Sequence, residues 1–269
     1  MKRVFKTGVI AVLCLALWPA LASAAPPAPK GKLVFEDDFS NPTKSGLEDN
    51  LQATDYSRGF HAPGVYHLKD LKDKATNWEL FPKQSYGEFS YQTDLWDNSD
   101  DVSTGDISEG LVFRATDDTH FYTVLVDPRK GKYAIQKWSG KTTSSDLVAW
   151  ADSPLIKRRN EVNQVRVDGE GSKFTVYVNG EKLADFSDSA YAKGGIGVIA
   201  SNVDAVGNHI HFDNVKVWST EAAAASTPPS TPPSTLPNTG EAAGAPLLLW
   251  LALALLLLGM GAQLRRVKN

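Results

Sequence analysis

The sequence contains almost no cysteine. Cys14 is the single one among 269 residues, so a disulfide-stapled scaffold and a zinc site built from thiolates are both excluded. Cys14 lies within the first apolar run, and removal of that run would leave no thiol for redox chemistry. The chain is 22% charged and 10% aromatic, which excludes a wholly disordered or collagen-like protein.

Basic patches interleaved with aromatic residues are missing as well. The whole chain has 28 basic and 31 acidic residues; setting aside the three basic residues at each end, and Glu241, leaves 22 and 30. Residues 25–239 therefore carry a net charge of −8 (22 basic against 30 acidic). Because an acidic surface repels phosphate backbones, we expect no nucleic-acid partner.

The amino terminus has the three parts of a secretory signal peptide. Residues 1–6 are basic, residues 8–17 are apolar, and Ala22 and Ala24 are the small residues that signal peptidase accepts. We predict a signal peptide over residues 1–24, cleaved between Ala24 and Ala25. The alternative is a retained membrane helix, although the apolar run is shorter than the roughly 20 residues that a span needs.

The carboxyl terminus has the composition of a membrane anchor. Residues 242–264 contain no charge, and Arg265, Arg266 and Lys268 follow directly. We predict a transmembrane helix over residues 242–264 with the basic tail in the cytoplasm, which places the rest of the chain outside the cell.

Between the two ends, one segment has the composition of a folded domain. Residues 25–30 form a Pro-rich lead-in, and residues 220–235 form a Ser/Thr/Pro-rich stalk that should be extended. Only residues 31–219 can bury a core, so we predict one domain on a stalk.

The sequence pattern of this domain predicts β-strands almost throughout. Residues 89–95 alternate, which predicts that Phe89, Tyr91, Thr93 and Leu95 share one buried face. Residues 111–114 and 121–126 predict a hairpin, and Asn179-Gly180 is the strongest turn signal in the chain. Many strands, regular turns and no amphipathic helix indicate an all-β sandwich.

The chain's end resembles the LPxTG cell-wall sorting signal of sortase substrates. The motif is Leu236-Pro237-Asn238-Thr239-Gly240, and the apolar span and basic tail follow in the same order. The resemblance implies that a sortase cleaves between Thr239 and Gly240 and joins the Thr239 carboxyl to a peptidoglycan cross-bridge amine. The sorting signal would then cover residues 236–269 and leave the protein anchored to the cell wall. The alternative is an ordinary single-span anchor that is never cut.

Residues 32–218 carry a second resemblance, which rests on the order of several motifs. The motifs are FEDDFS at 35–40, GLVFR at 110–114 with FY at 121–122, YVNG at 177–180, GGIG at 194–197 and FDNVKV at 212–217. In this order they resemble the concanavalin A-like lectin/glucanase (laminin G-like) superfamily, nearest to bacterial domains grouped with 3-keto-disaccharide hydrolases. The resemblance implies a jelly-roll β-sandwich. Function does not follow from it, since the superfamily includes lectins, carbohydrate-binding modules, adhesive domains and enzymes.

The sequence has no recognisable catalytic motif. Glucanases of the superfamily carry E-x-D-x-E on one strand face, where two carboxylates flank the scissile bond, and residues 36–40 (EDDFS) supply no second glutamate. A nucleophile elbow and a phosphate-binding loop are also missing, so we expect no catalytic residues. His209, His211 and Asp213 share one face of the last strand, either as a metal site or as a solvated polar face.

Calcium is the one ion that the resemblance suggests. In sandwiches of this kind, an ion with oxygen ligands often joins the first strand to the last. Asp37 or Asp38, together with Asp213, would be suitable ligands. The alternative is that these carboxylates only fix turns. We expect no other cofactor.

Aromatic residues are the remaining candidates for a ligand-binding site. Trp78 and Trp96 lie where loops should begin or end, and Arg114 projects from a strand that could face the concave side. These three are candidate ligand-binding residues, although large aromatics are more often part of a core. Three hypotheses follow: a domain that binds a carbohydrate or extracellular polymer, an enzyme acting on a sugar, or a structural surface domain. We favour the first.

Overall fold

The computed structural model describes residues 26–53, 56–61, 64–72, 74–99, 105–202 and 208–220. The predicted signal peptide with Ala22, Ala24 and Ala25, most of the stalk, the motif from Leu236 to Gly240 and the predicted span lie outside these residues. Within the described part of the chain, no helix has the length and apolar character to cross a membrane.

The described residues form strands, joined by turns and one short helix. The helix, α1 (Pro42–Ser45), is a single turn that begins where the Asn41 side chain accepts a hydrogen bond from the Thr43 amide. The strands are β1 (Lys32–Asp37), β2 (Leu51–Gln52), β3 (Tyr56–His61), β4 (Val65–Asp70), β5 (Thr76–Leu80), β6 (Phe89–Asp97), β7 (Ile107–Ala115), β8 (His120–Asp127), β9 (Lys132–Gly140), β10 (Thr143–Asp152), β11 (Asn163–Glu170), β12 (Lys173–Val178), β13 (Glu181–Ser187), β14 (Gly195–Asn202) and β15 (His209–Ser219).

These strands build two antiparallel sheets. Sheet A has nine strands in the order β13-β12-β11-β6-β15-β4-β3-β2, with β1 paired to β15. Sheet B has six strands in the order β10-β9-β8-β7-β14-β5. The two sheets pack face to face, and the predicted concanavalin A-like jelly-roll sandwich is confirmed.

Strand alternation sorts the apolar residues into a central core and a second cluster. Phe89, Tyr91, Thr93 and Leu95 are all buried, as their spacing predicts. On β7, Leu111 and Phe113 pack in the core between the sheets, whereas Val112 belongs to a second apolar cluster. Because neighbouring residues of a strand point to opposite faces, this second cluster lies on the outer face of sheet B.

Candidate functional site

Trp78 lies on β5, the edge strand of sheet B, among the aromatic residues of the outer cluster. Its ring centroid lies 5.4 Å from that of Phe121 and 5.7 Å from that of Trp138. Phe121 and Trp138 in turn stack at 5.6 Å with an interplanar angle of 22°. The Trp78 indole is half-buried, so part of it remains available to a ligand.

The contact between Trp78 and Trp138 shows that sheet B is curved. Their strands, β5 and β9, are separated by three others, which corresponds to about 19 Å across four strand spacings of ~4.8 Å in a flat sheet. Two indoles can meet over that distance only if the sheet curves toward them. The outer face of sheet B is therefore concave, and Trp78 lies on it.

A groove of about 490 Å³ lies beside Trp78. Its lining combines one indole and one phenol with charged and amide side chains. The lining residues are Glu48, Tyr56, Arg58, Thr76, Asn77, Trp78, Glu79, Leu80, Asp118 and Lys141. Planar aromatic surface beside a few converging polar groups is the usual composition of a small-ligand site.

Arg58 organises the charges in this groove. Its guanidinium forms ion pairs with Glu48 and Glu79, donates a hydrogen bond to the Trp78 carbonyl at 3.2 Å and lies 5.2 Å from the centre of the Tyr56 ring. The side chains of Arg58 and Glu79 are 13% and 14% exposed, whereas that of Glu48 is 55% exposed. Burial raises the pKa of Glu79, and Arg58 opposes that shift. Two carboxylates of the groove therefore pair with the same guanidinium: that of Glu79 is largely buried, and that of Glu48 is exposed.

The other two candidate ligand-binding residues are elsewhere. Trp96 projects from the outer face of sheet A, where its ring lies 5.2 Å from that of His211. Arg114 is 1% exposed and donates hydrogen bonds to the carbonyls of Gly87 and Tyr191. The sequence prediction that Arg114 faces the concave side is therefore wrong, and Trp78 alone of the three lines the groove.

Among the described residues, the predicted calcium ligands do not belong to a group of three or more potential ligands that lie within 4.8 Å of one another; His61, His67 and His209 form the one such group. Asp213 is half-buried, and its pKa is raised by burial and by the charges of Asp94, Asp38 and Asp37. Asp38 accepts hydrogen bonds from the amide and hydroxyl of Ser40, as a turn-fixing carboxylate does. Asp37 is 1% exposed; its Oδ1 accepts from the Phe39 amide, and its Oδ2 has no partner among the described residues. An unpaired buried carboxylate oxygen is a ligand of the type that a hard cation prefers.

His209 and His211 meet two histidines that the sequence analysis did not connect with them. His211 pairs with His67 in the β15–β4 register, and His61 lies on the adjoining strand. Burial, and next to it the neighbouring histidines, lower the pKa of His67 and His211 to about 4 and that of His209 to about 3. These imidazoles are therefore neutral at neutral pH.

Sequence reasoning also missed Arg58, Glu48 and Glu79. They lie in separate segments that meet only in the tertiary structure, through the ion pairs of Arg58, and no local motif marks them. For the histidines the sequence has a weak signal, because the i, i+2 spacing of His209 and His211 predicts that they share one strand face.

Several solved structures are similar to this chain, and the one with a TM-score above 0.5 has the same kind of β-sandwich. A protein of unknown function with a galectin-like fold from Bacillus subtilis is 13% identical, with 71% of this chain and 98% of that one covered at a TM-score of 0.53. The carbohydrate-binding module CBM66 from Bacillus subtilis is 22% identical over 56% of this chain and 86% of its own, with a TM-score of 0.46. A β-glucanase from Bacillus licheniformis is 13% identical over 71% of this chain and 100% of its own, with a TM-score of 0.47.

No functionally curated protein matches the sequence. Residues 35–218 match the family described as the 3-keto-alpha-glucoside-1,2-lyase-like domain. This segment includes β5, β14 and both faces of the sandwich described above. The chain therefore belongs to the 3-keto-alpha-glucoside-1,2-lyase-like domain family.

Proposed function

We propose that the β-sandwich binds a carbohydrate in the groove beside Trp78 and displays this groove outside the cell. The observation that carries the proposal is the half-exposed Trp78 indole on a concave sheet, next to Arg58, Asn77 and Glu79. A flat indole offers apolar surface to the face of a pyranose ring, and amide and charged groups supply hydrogen bonds to its hydroxyls. Family membership supports a sugar as the ligand.

The binding test compares variants of the two tryptophans on the full chain. We expect Trp78→Ala to weaken binding to any glycan captured from an array at least tenfold, about 1.4 kcal/mol. Trp96→Ala, on the opposite sheet, should leave that affinity unchanged. Lys141→Ala removes an exposed charge at the rim without disturbing the core, so it tests the groove even if Trp78→Ala unfolds. Full binding by both groove variants would place the ligand elsewhere, and the absence of any glycan ligand would favour a structural surface domain.

A second function, catalysis on a sugar, is favoured by the two carboxylates on Arg58. An elimination across C1 and C2 of a 3-keto-glucoside needs a base for the C2 proton, which the ketone acidifies, and an acid for the departing glycosidic oxygen. Glu79 has the raised pKa expected of the acid, and the exposed Glu48 is available as the base.

The catalytic alternative is tested by incubating the protein with a panel of 3-keto-glycosides and measuring release of the leaving sugar or alcohol. Turnover that Glu79→Gln abolishes, while binding of the same glycoside persists, would establish it. Inactivity of the unmodified protein on the whole panel would leave the groove as a binding site.

Attachment to the cell wall is the second part of the proposal. It rests on the order of the signal peptide, the motif from Leu236 to Gly240, the apolar span and the basic tail. Mass spectrometry of the wall fraction should find a peptide that ends at Thr239 and is joined to a peptidoglycan cross-bridge amine, and Thr239→Ala should abolish it. An intact terminus through Asn269 in the membrane fraction would instead indicate a single-span anchor and no sortase partner.

The proposal includes a structural calcium ion between the first and last strands. Asp37 and Asp213 are the residues that would hold it, with Asp38 at the edge of the group. The unpaired Oδ2 of Asp37 and the raised pKa of Asp213 support this assignment.

A further inference from the structure

Four of the five histidines of this chain lie together on the outer face of sheet A. They form the histidine cluster, which consists of His61, His67, His209 and His211. Their strand neighbours Phe60, Tyr66, Leu68, Ile210 and Phe212 pack in or against the central core. Alternation therefore turns all four imidazoles to the opposite face, away from the interior and from the groove of sheet B.

The side-chain nitrogens of the cluster converge. The ring centroids of His61 and His67 lie 4.1 Å apart, and that of His209 lies 5.0 Å from each of them. One ligand nitrogen from each of these three residues lies within 4.8 Å of the other two. The Nε2 atoms of His209 and His211 are 3.1 Å apart.

One ring nitrogen of the cluster is buried without a partner. His67 is 8% exposed, and its Nδ1 has no hydrogen-bond partner among the described residues. A buried nitrogen left unpaired costs free energy unless another group satisfies it. Within the described part of the chain, one side chain from outside the cluster approaches its ring nitrogens: Asn98 Nδ2 lies 3.5 Å from His211 Nε2, which is long for a hydrogen bond.

We propose that the histidine cluster binds a divalent transition-metal ion of the zinc class. Imidazole nitrogens are preferred ligands of Zn²⁺, Cu²⁺ and Ni²⁺, whereas Ca²⁺ and Mg²⁺ prefer oxygen. In a tetrahedral site with Zn–N bonds of about 2.0–2.1 Å, neighbouring nitrogens are about 3.3 Å apart. The Nε2 atoms of His209 and His211 already have nearly this spacing. The ligand nitrogens of His61, His67 and His209 lie within 4.8 Å of one another and would have to approach by up to about 1.5 Å, to which rotation of the exposed His61 ring contributes.

The ion would crosslink strands near one edge of sheet A. His61 and His67 come from the β3–β4 hairpin, and His209 and His211 come from β15. A bound ion therefore joins the hairpin to the strand that pairs with β6 in the middle of the sheet. Because its ligands are imidazole nitrogens, the site differs in chemistry from the carboxylates around Asp213, and it does not depend on any carbohydrate in the groove.

The test uses the full chain, purified without a polyhistidine tag, and zinc chloride as the probe. Calorimetry should find one Zn²⁺ bound per chain, with affinity reduced at least tenfold by His61→Gln and by His209→Gln. His120→Gln is the matched control, because His120 is the fifth histidine and pairs with Asp117 outside the cluster. Asp213→Asn should also retain zinc. No zinc binding, or binding that survives both cluster variants, would overturn the proposal.

A second measurement avoids substitutions in the cluster itself. The Trp96 ring lies 5.2 Å from that of His211, so Co²⁺ or Cu²⁺ bound at the cluster should quench its fluorescence. Trp96→Phe should remove the quenched component while one metal ion per chain still binds. Metal binding that leaves the emission of Trp96 unchanged would place the ion elsewhere and overturn the proposal.

Discussion

Arg114 shows how one residue reverses the direction that strand alternation predicts. If side chains alternated regularly from Leu111 onward, the Arg114 side chain would lie on the outer face of sheet B, where it could contact a ligand. Its backbone instead has φ +50°, and the register between β7 and β14 shifts there, with Gly195 opposite Ala115 and Ile196 opposite Phe113. This β-bulge turns the guanidinium into the core, 4.7 Å from the centre of the Phe174 ring.

We predict that Arg114→Leu lowers the free energy of unfolding by about 3 kcal/mol. The substitution leaves the carbonyls of Gly87 and Tyr191 without this buried donor and removes the cation–π contact. Urea unfolding of the full chain measures the loss, and the exposed Lys193→Ala is the control. An unchanged stability together with lost glycan binding would show that Arg114 acts in the site after all.

At the scale of elements, the β12–β13 hairpin confirms its sequence signal. Asn179 and Gly180 have φ of +52° and +85°, as the two central residues of a type I′ turn require. The Asn179 side chain also donates to the carbonyl of Leu155 at 2.8 Å and to Oδ1 of Asn163 at 2.9 Å. The turn residue thus ties the hairpin to the loop before β11.

We predict different costs at the two turn positions. Gly180→Ala should cost about 1 kcal/mol, because it only strains the backbone. Asn179→Ala should cost about 2 kcal/mol, because it also removes two partly buried hydrogen bonds. Denaturant unfolding compares both with the exposed Glu181→Ala. Equal costs at both positions would mean that the Asn179 amide contributes nothing.

Thermal unfolding tests the proposal that a calcium ion binds between the paired strands β1 and β15. Millimolar calcium should raise the Tm of the full chain by several degrees, since an ion that binds only the folded state stabilises it. A chelator should reverse the rise, and Asp213→Asn should abolish it, whereas the exposed Asp152→Asn should not. A Tm that does not respond to calcium would leave Asp37 and Asp38 as turn-fixing residues.

For the whole molecule, buried acids set part of the dependence of stability on pH. Burial raises the pKa of Asp70 to about 7, against hydrogen bonding from Asn208 that lowers it, and raises that of Glu109 well above its ordinary range. The folded state then binds more protons than the unfolded chain from about pH 4 up to these folded-state values. Each group therefore stabilises the fold at low pH and loses that contribution as the pH rises.

We predict that Asp70→Asn flattens this decline. An amide oxygen can still accept from Asn208, and no charge has to be buried at high pH. Relative to the unmodified chain, the variant should gain about 2 kcal/mol between pH 5 and pH 8, since each pKa unit corresponds to about 1.4 kcal/mol. Unfolding free energies measured across this range test it, with Asp152→Asn as the control. Parallel pH profiles would contradict the assignment to Asp70.

By itself, the sequence determined the sandwich, the buried face of β6 and the hairpin at Asn179-Gly180. Each is encoded within a few consecutive residues, by the alternation of side chains or by a turn that needs positive φ. The tertiary structure alone decided the concavity that brings Trp78 to Trp138, the joining of Arg58 to Glu48 and Glu79, and the bulge that buries Arg114. These depend on strand order and register, which are settled by packing between segments distant in the chain.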